Sequence, residues 1–230
     1  MMSDVTIGFE GEQLANPWFP VAEGAPSVII FPTVMGVSPN EEDYARRLNT
    51  LGYSAMIGDV FGTISRGASR EEMMGHLQRL RGDRPALLRR LQALHEAMLG
   101  VAKVLSPRTA AIGFCFGGLC VLDLARSGID MVAVGSFHGL FTPTGMAPQP
   151  IKARVGVYHG WDDPHATPDA VVALAKELTE AGASWQIDSY GNTGHGFTNP
   201  HAAGPGMGYD KTAATHSWAS CTQMLGDVFG

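Results

Sequence analysis

Gly113-Phe114-Cys115-Phe116-Gly117-Gly118 places a cysteine two residues after one glycine and two before another. It sits where an apolar run, Thr109 to Gly113, gives way to the helix-like stretch Leu119 to Ala125. A nucleophile on so sharp a strand-to-helix turn adopts a strained positive φ. The residues two before and two after it approach too closely for side chains, which accounts for Gly113 and Gly117. Gly118 lets the start of the helix pack tightly. The helix N-terminus beneath Cys115 favours negative charge on the sulfur and on an oxyanion beside it. The motif matches neither G-x-G-x-x-G nor the lysine-bearing P-loop. A glycine-rich turn around a buried structural cysteine is the plain alternative, and the residues downstream weigh against it.

A turn of this kind calls for a carboxylate and then a histidine, in that chain order. His159-Gly160-Trp161-Asp162-Asp163-Pro164 follows an apolar strand and ends in a proline-stiffened turn, which puts Asp163 in reach of the sulfur from the side. Asp162 is the rival acid. Gly191-Asn192-Thr193-Gly194-His195-Gly196-Phe197 follows the last strand, and its glycines allow His195 to arch over the sheet toward Cys115. Between Asp163 and His195 there is room for one helix and one strand. A single aspartate or histidine in a loop is usually a solvated polar group. Three such residues in the required order, each just past a strand, form a candidate for acyl transfer. His138, after the strand Met131 to Gly135, lies at the same end of the sheet and is expected to line the substrate pocket or to hydrogen-bond a loop.

The elements that position these residues alternate along the chain. Val28 to Phe31 reads as a buried parallel strand. Ser38-Pro39-Asn40-Glu41 has the form of a capping box with proline at the first helical position, opening a helix through Leu48. Tyr53 to Ile57 is the next strand. A helix opened by Asp83-Arg84-Pro85 places Leu87, Leu91, Leu94, Met98, Val101 and Leu105 on one buried stripe; its Arg89-Arg90 pair reads as the solvated face. Further strands are expected at Thr109 to Gly113, Met131 to Gly135, Arg154 to Tyr158 and Trp185 to Tyr190. Helices follow Thr167-Pro168 and run from Lys211 to Phe229. Val5 to Leu14 reads as an antiparallel hairpin at the sheet edge. Phe61 to Met74 and Thr142 to Pro150 read as stretches outside the core, with Met73, Met74 and Met146 as adaptable apolar surface. This alternation predicts a single α/β domain over 1–230, with a mostly parallel central sheet flanked by helices on both faces and the site at the carboxyl ends of the strands.

Composition bounds the function classes. The chain has 230 residues, 45% hydrophobic and 17% charged, with a net charge of −6. No basic stripe offers phosphate neutralisation, so a nucleic-acid partner is not expected. The N-terminal residues lack the pattern of a secretory signal, and no apolar run reaches the length of a membrane span. Three separated cysteines without a C-x-x-C pair point to a reducing, cytoplasmic setting. Cys120 is expected in the core and Cys221 within a helix. His159, Asp162, Asp163 and His165 are dense, but their spacing matches no structural zinc pattern, and no metal or organic cofactor is expected.

Taken together, Phe-Pro-Thr-Val-Met-Gly-Val from Phe31 to Val37, Gly-Asp-Val-Phe-Gly from Gly58 to Gly62, the cysteine turn, the Gly160 to Asp163 turn and Gly194-His195-Gly196-Phe197 resemble the dienelactone hydrolase family. The likeness covers nearly the whole chain. It implies the α/β-hydrolase fold and a Cys115–His195–Asp163 triad that hydrolyses a small-molecule ester or lactone, in a monomer or small homo-oligomer. It also implies an oxyanion hole from the backbone N–H groups of Phe116 and of Val34 or Thr33. The family's best-known members carry a glutamate where this chain has Thr33, which here is expected among the substrate-binding residues with His138. They also use an arginine shortly after the histidine, and His195 to Asp210 contains none. The dienelactone substrate itself is therefore not expected to carry over. A non-catalytic ligand-binding or sensor protein on the same scaffold is the competing reading, and a thiol redox protein is a third.

Overall fold

The computed structural model describes residues 3–230, which group into two compact units meeting along the chain between Ala111 and Ile112. Eight strands, mostly parallel, form one sheet in the order β1-β2-β4-β3-β5-β6-β7-β8. Strand β5, Thr109–Phe114, gives its first half to one unit and its second half to the other.

In the first unit, β1 (Ser3–Phe9) and β2 (Glu12–Phe19) form an antiparallel hairpin, longer at both ends than the expected Val5 to Leu14. Glu10 and Gly11 both take positive φ, as a two-residue hairpin turn requires. β3 (Ser27–Phe31) is buried along its whole length, as a strand with helices over it must be. α1 (Pro39–Thr50) starts at Ser38, whose hydroxyl accepts the Asn40 N–H and donates to the Glu41 carboxylate. It returns the chain to β4 (Ser54–Ile57), parallel to β3 from Ser27↔Ser54 to Ile30↔Ile57.

Three expectations in this unit need correction. α2 (Arg70–Gly82) occupies part of what reads as an irregular stretch. Only Met73, Leu77 and Leu80 are buried on it, amid charged residues, so its apolar signal is thin; Met73 is core and not surface. α3 (Arg84–Ala102) buries Leu87, Leu91, Leu94 and Met98, but the stripe stops there. Lys103 turns left-handed and ends the helix, leaving Leu105 78% exposed and Val101 at the surface. Arg90 is likewise no solvated side chain. It is buried, donates to the Val60 carbonyl at 3.0 Å and pairs with Glu12 at 2.6 Å, while Arg89 stays exposed.

His95, buried on α3, shares a 2.9 Å hydrogen bond with the Thr109 hydroxyl. Burial pushes its pKa down to about 4. The unfolded chain then binds a proton near pH 6.5 that the folded chain refuses, so stability is full above that value and lost as pH falls toward 4. The melting temperature is expected to drop over this window. In a His95→Gln variant the drop should be shallower, by up to about 3 kcal/mol near pH 4; parallel pH–melting curves would contradict this.

In the second unit, α4 (Phe116–Arg126) follows β5 directly, and β6 (Ala133–Phe137), β7 (Arg154–Gly160) and β8 (Trp185–Tyr190) run parallel in register. α5 (Pro168–Glu180) connects β7 to β8. A two-residue pair, β9 (Ala203–Gly204) and β10 (Met207–Gly208), precedes α6 (Lys211–Phe229). Helices cover both faces here. A Cβ at Gly135 would meet Cys221 of α6, while the next side chain, Ser136, hydrogen-bonds Gly118 at the start of α4. Cys120 is fully buried and Cys221 lies within α6, both as expected, and Cys221 is fully buried as well. Among the described residues no helix is long and apolar enough to cross a membrane.

Arg126 at the end of α4 is buried and clamps Glu177 of α5 through Nε at 2.6 Å and a second nitrogen at 2.8 Å, with Asp123 at 3.2 Å. Arg126→Met would strip the fully buried Asp123 carboxylate of this cation. The expected cost is about 3 kcal/mol or more, or roughly 10 °C in melting temperature. A shift below about 2 °C by calorimetry would contradict it.

Candidate active site

Cys115 occupies the single residue between β5 and α4, with φ 55° and ψ −111°. That is a strained geometry for a side chain with a Cβ. Gly113 shows why the turn can be so tight, since a Cβ there would lie 2.0 Å from the carbonyl oxygen of Gly117. The Cys115 N–H donates to the Phe137 carbonyl at 3.0 Å, and the Cys115 carbonyl accepts from Gly118 and Leu119, closing the first turn of α4. The thiol is partly exposed at the helix N-terminus, where the aligned peptide dipoles favour negative charge. Phe116 is the first residue of that helix.

Asp163 and His195 join it within the same unit. Asp163 follows β7, is buried, and uses both carboxylate oxygens. Oδ1 accepts the His165 N–H at 2.8 Å and Oδ2 accepts from His195 Nδ1 at 2.7 Å. Asp162 is exposed, and its backbone N–H donates to the Thr193 carbonyl, so its role is in the turn. The loop bearing His195 lies directly on Gly160; a Cβ there would come within 2.5 Å of the Thr193 oxygen. Backbone hydrogen bonds from His195 to Gly206 and from Gly208 to His195 complete the loop.

His195 also interacts with the Cys115 thiol. With Nδ1 held by Asp163, Nε2 is the ring nitrogen left for the sulfur. Burial by itself lowers the imidazole pKa, but the hydrogen bonds to Asp163 and Cys115 and the charges of both outweigh it and hold the pKa near 10. These contacts favour the protonated imidazole. Two rings stand edge-on to this imidazole, His138 at 5.1 Å and His165 at 4.9 Å. Burial drives His138 well below the usual histidine range, aided by the charge of His195. His159, packed between Phe141 and Trp161, is also pushed down by burial.

Each residue singled out in the sequence thus has a definite place. Cys115, Asp163 and His195 come together. His138 is buried after β6, with φ 37°, and its Nε2 shares a 2.8 Å hydrogen bond with the Thr198 hydroxyl. Thr33 and Val34 belong to the first unit, in the turn after β3, where the Thr33 carbonyl accepts the Gly36 N–H and its hydroxyl accepts that of Met35. Two neighbours of the base escaped the sequence reading of the site. Thr198 is a lone threonine with no spacing signal, and His165 stands out only as part of a local cluster.

The model of the dienelactone hydrolase family matches residues 15–229. A probable 2-oxo-3-(5-oxofuran-2-ylidene)propanoate lactonase from a Bradyrhizobium species is 26% identical, over 85% of this chain and 84% of that protein. An uncharacterized Caenorhabditis elegans protein is 36% identical over 61% of this chain and 92% of its own length. Among solved structures, a dienelactone hydrolase-like promiscuous phosphotriesterase from metagenomic libraries superposes with a TM-score of 0.89 at 30% identity, covering 100% of this chain and 99% of its own.

Proposed function

Because this chain belongs to the dienelactone hydrolase family, we propose that it cleaves a small-molecule carboxylic ester or lactone through a Cys115–His195–Asp163 triad and a thioester acyl-enzyme, as a single catalytic domain. The observation that carries the reading is the buried 2.7 Å hydrogen bond between Asp163 Oδ2 and His195 Nδ1, with the same imidazole coupled to Cys115.

The cycle begins as His195 takes the Cys115 thiol proton, forming an ion pair. The sulfur attacks the ester carbonyl carbon, forming a C–S bond and moving the carbonyl electrons onto oxygen. The Phe116 N–H, at the α4 N-terminus, donates to that oxyanion; loss of one such donor costs about 3–4 kcal/mol in comparable sites. As the C–O bond breaks, His195 gives its proton to the leaving alkoxide. Neutral His195 then takes a proton from water, whose oxygen attacks the thioester; the C–S bond breaks, releasing the acid and restoring the ion pair. Asp163 accepts the Nδ1–H throughout, which fixes the tautomer and supports the cation.

Incubation with p-nitrophenyl acetate followed by intact-mass and peptide analysis tests this. One acetyl group should appear on Cys115 and disappear as p-nitrophenol accumulates. Hydrolysis that continues with no acetyl ever trapped on Cys115 at high substrate would sink the thioester route. A second substrate class has one observation in its favour, the phosphotriesterase description of the 30%-identical neighbour. The same thiolate can attack phosphorus as an aryloxide leaves, so paraoxon should release p-nitrophenol more slowly than the ester does, and only with Cys115 present.

A further inference from the structure

We propose that His138, acting through Thr198, is a positioning residue that sets the catalytic base His195 at its working distance from Cys115. The inference rests on the triad reading above and adds to it the strut that gives the triad its geometry.

Asp163 grips His195 at one atom, Nδ1. A single hydrogen bond orients a ring but leaves its loop free to shift along and about that bond. The backbone bonds of the loop join His195 to Gly206 and Gly208 and bring the Asp210 N–H to the Phe197 carbonyl, within the connection between β8 and α6, and one more brings the Asp162 N–H to the Thr193 carbonyl. None of these refers the base to the nucleophile. The Phe137-His138 dipeptide does. The Phe137 carbonyl accepts the Cys115 N–H at 3.0 Å, and the adjoining His138 ring shares its 2.8 Å hydrogen bond with Thr198, three residues beyond His195. One peptide thus reaches both ends of the Cys115–His195 pair.

The strut is stiff. His138 is 1% exposed and Thr198 4%, so water does not compete for their bond. The His138 N–H donates to the Tyr158 carbonyl at 2.8 Å, extending the β6–β7 pairing past the last strand residue. The backbone at His138 is left-handed, φ 37°, which a β-carbon-bearing residue adopts only when its surroundings enforce it. Those surroundings are close: a Cβ at Gly139 would lie 2.2 Å from Ser136 Oγ, and one at Gly118 would lie 2.6 Å from Gly139 Cα. The turn Ser136 to Gly139 therefore cannot move against the first turn of α4. The His138 ring also stands edge-on to His195 and to Phe197, so it packs against the base as well as tethering its loop. The ionisable groups around His195 are Cys115, Asp163, His138, His159 and His165. Buried and neutral, His138 adds no like charge beside the imidazolium.

Thr198→Val keeps the shape of the side chain and removes the hydroxyl. It is expected to lower kcat for p-nitrophenyl acetate by about 10-fold to 100-fold, the effect of a sub-ångström to ångström displacement, with KM changed less than about 2-fold. The rate of Cys115 alkylation by iodoacetamide at pH 7 should fall with it, because that rate reads the ion pair without turnover. Thr198→Ser retains the hydroxyl and should restore both. His138→Asn tolerates the left-handed backbone but is too short to reach Thr198; it should match Thr198→Val, and the double variant should be no worse than the poorer single one. The strut is overturned if Thr198→Val, or His138→Asn should the first not fold, melts lower yet keeps parental kcat and alkylation rate. It is overturned equally if the two losses multiply in the double variant. A parent enzyme whose turnover survives Cys115→Ala would instead remove the triad reading, and this inference with it.

Discussion

Replacing Cys115 with alanine is expected to lower ester turnover by about 10⁴-fold or more while the protein melts within a few degrees of the parent. The size follows from what the thiol does in the proposed cycle. Without it no thioester forms, and His195 faces a methyl group that it cannot activate. The remaining rate is that of water attacking a carbonyl held near the α4 N-terminus. The fold should survive because the structural demands of the position fall on the backbone. The Cys115 N–H and carbonyl close the turn and the first turn of α4, and alanine retains both. The side chain itself is only partly buried, so no large cavity opens. Steady-state kinetics beside a thermal melt separate the two effects, and a variant that keeps even a tenth of parental turnover would rule out Cys115 as the nucleophile.

Asp163→Asn should come next in effect, with kcat reduced by about 10²-fold to 10⁴-fold, the range spanned when the orienting acid of a comparable triad is neutralised. The sign of its pH effect follows from the His195 pKa of about 10. Burial pulls that pKa down, and Asp163 supplies the first of the interactions that hold it up. An amide can still accept one hydrogen bond from Nδ1, but it brings no charge to balance the imidazolium. His195 should then lose its proton at lower pH, and the alkaline limb of kcat/KM should move in from near 10 toward neutrality. The same substitution one residue earlier is the control. Asp162 is exposed and its N–H is occupied in the turn, so Asp162→Asn should stay within about 2-fold of the parent in kcat and leave the limb in place. A larger loss at Asp162 than at Asp163 would assign the acid to the wrong neighbour.

The elements that bear these groups were largely readable in advance, and the exceptions have physical reasons. Strands such as Val28 to Phe31 and Arg154 to Tyr158 are continuous apolar runs because helices cover them, and such runs carry their own signal. α2 was not readable, since three buried side chains among charges leave too narrow a stripe. The α3 stripe reads past its true end because periodicity continues in the letters after Lys103 has left the helix. Arg90 looks solvated beside Arg89, yet it is buried because a partner far away in sequence, Glu12, lies within reach.

The functional groups divide the same way. Residue types and order within the chain were enough to single out Cys115, Asp163 and His195, because a strand-to-helix turn with glycines at fixed offsets imposes a local steric rule that is written locally. The sequence also decided between Asp163 and Asp162 as a preference, through position within the turn. What it had no means to express is separation in space: the 2.7 Å between Asp163 and His195, the coupling of His195 to Cys115, and the raised pKa that follows from both. The His138–Thr198 pair is the plainest case, joining residues 60 positions apart with no motif at either end. A hydrogen bond depends on tenths of an ångström between atoms that only the packed sheet and its turns bring together. The identity of the proposed reacting groups is therefore local and legible in the sequence, while their alignment and ionisation belong to the tertiary structure.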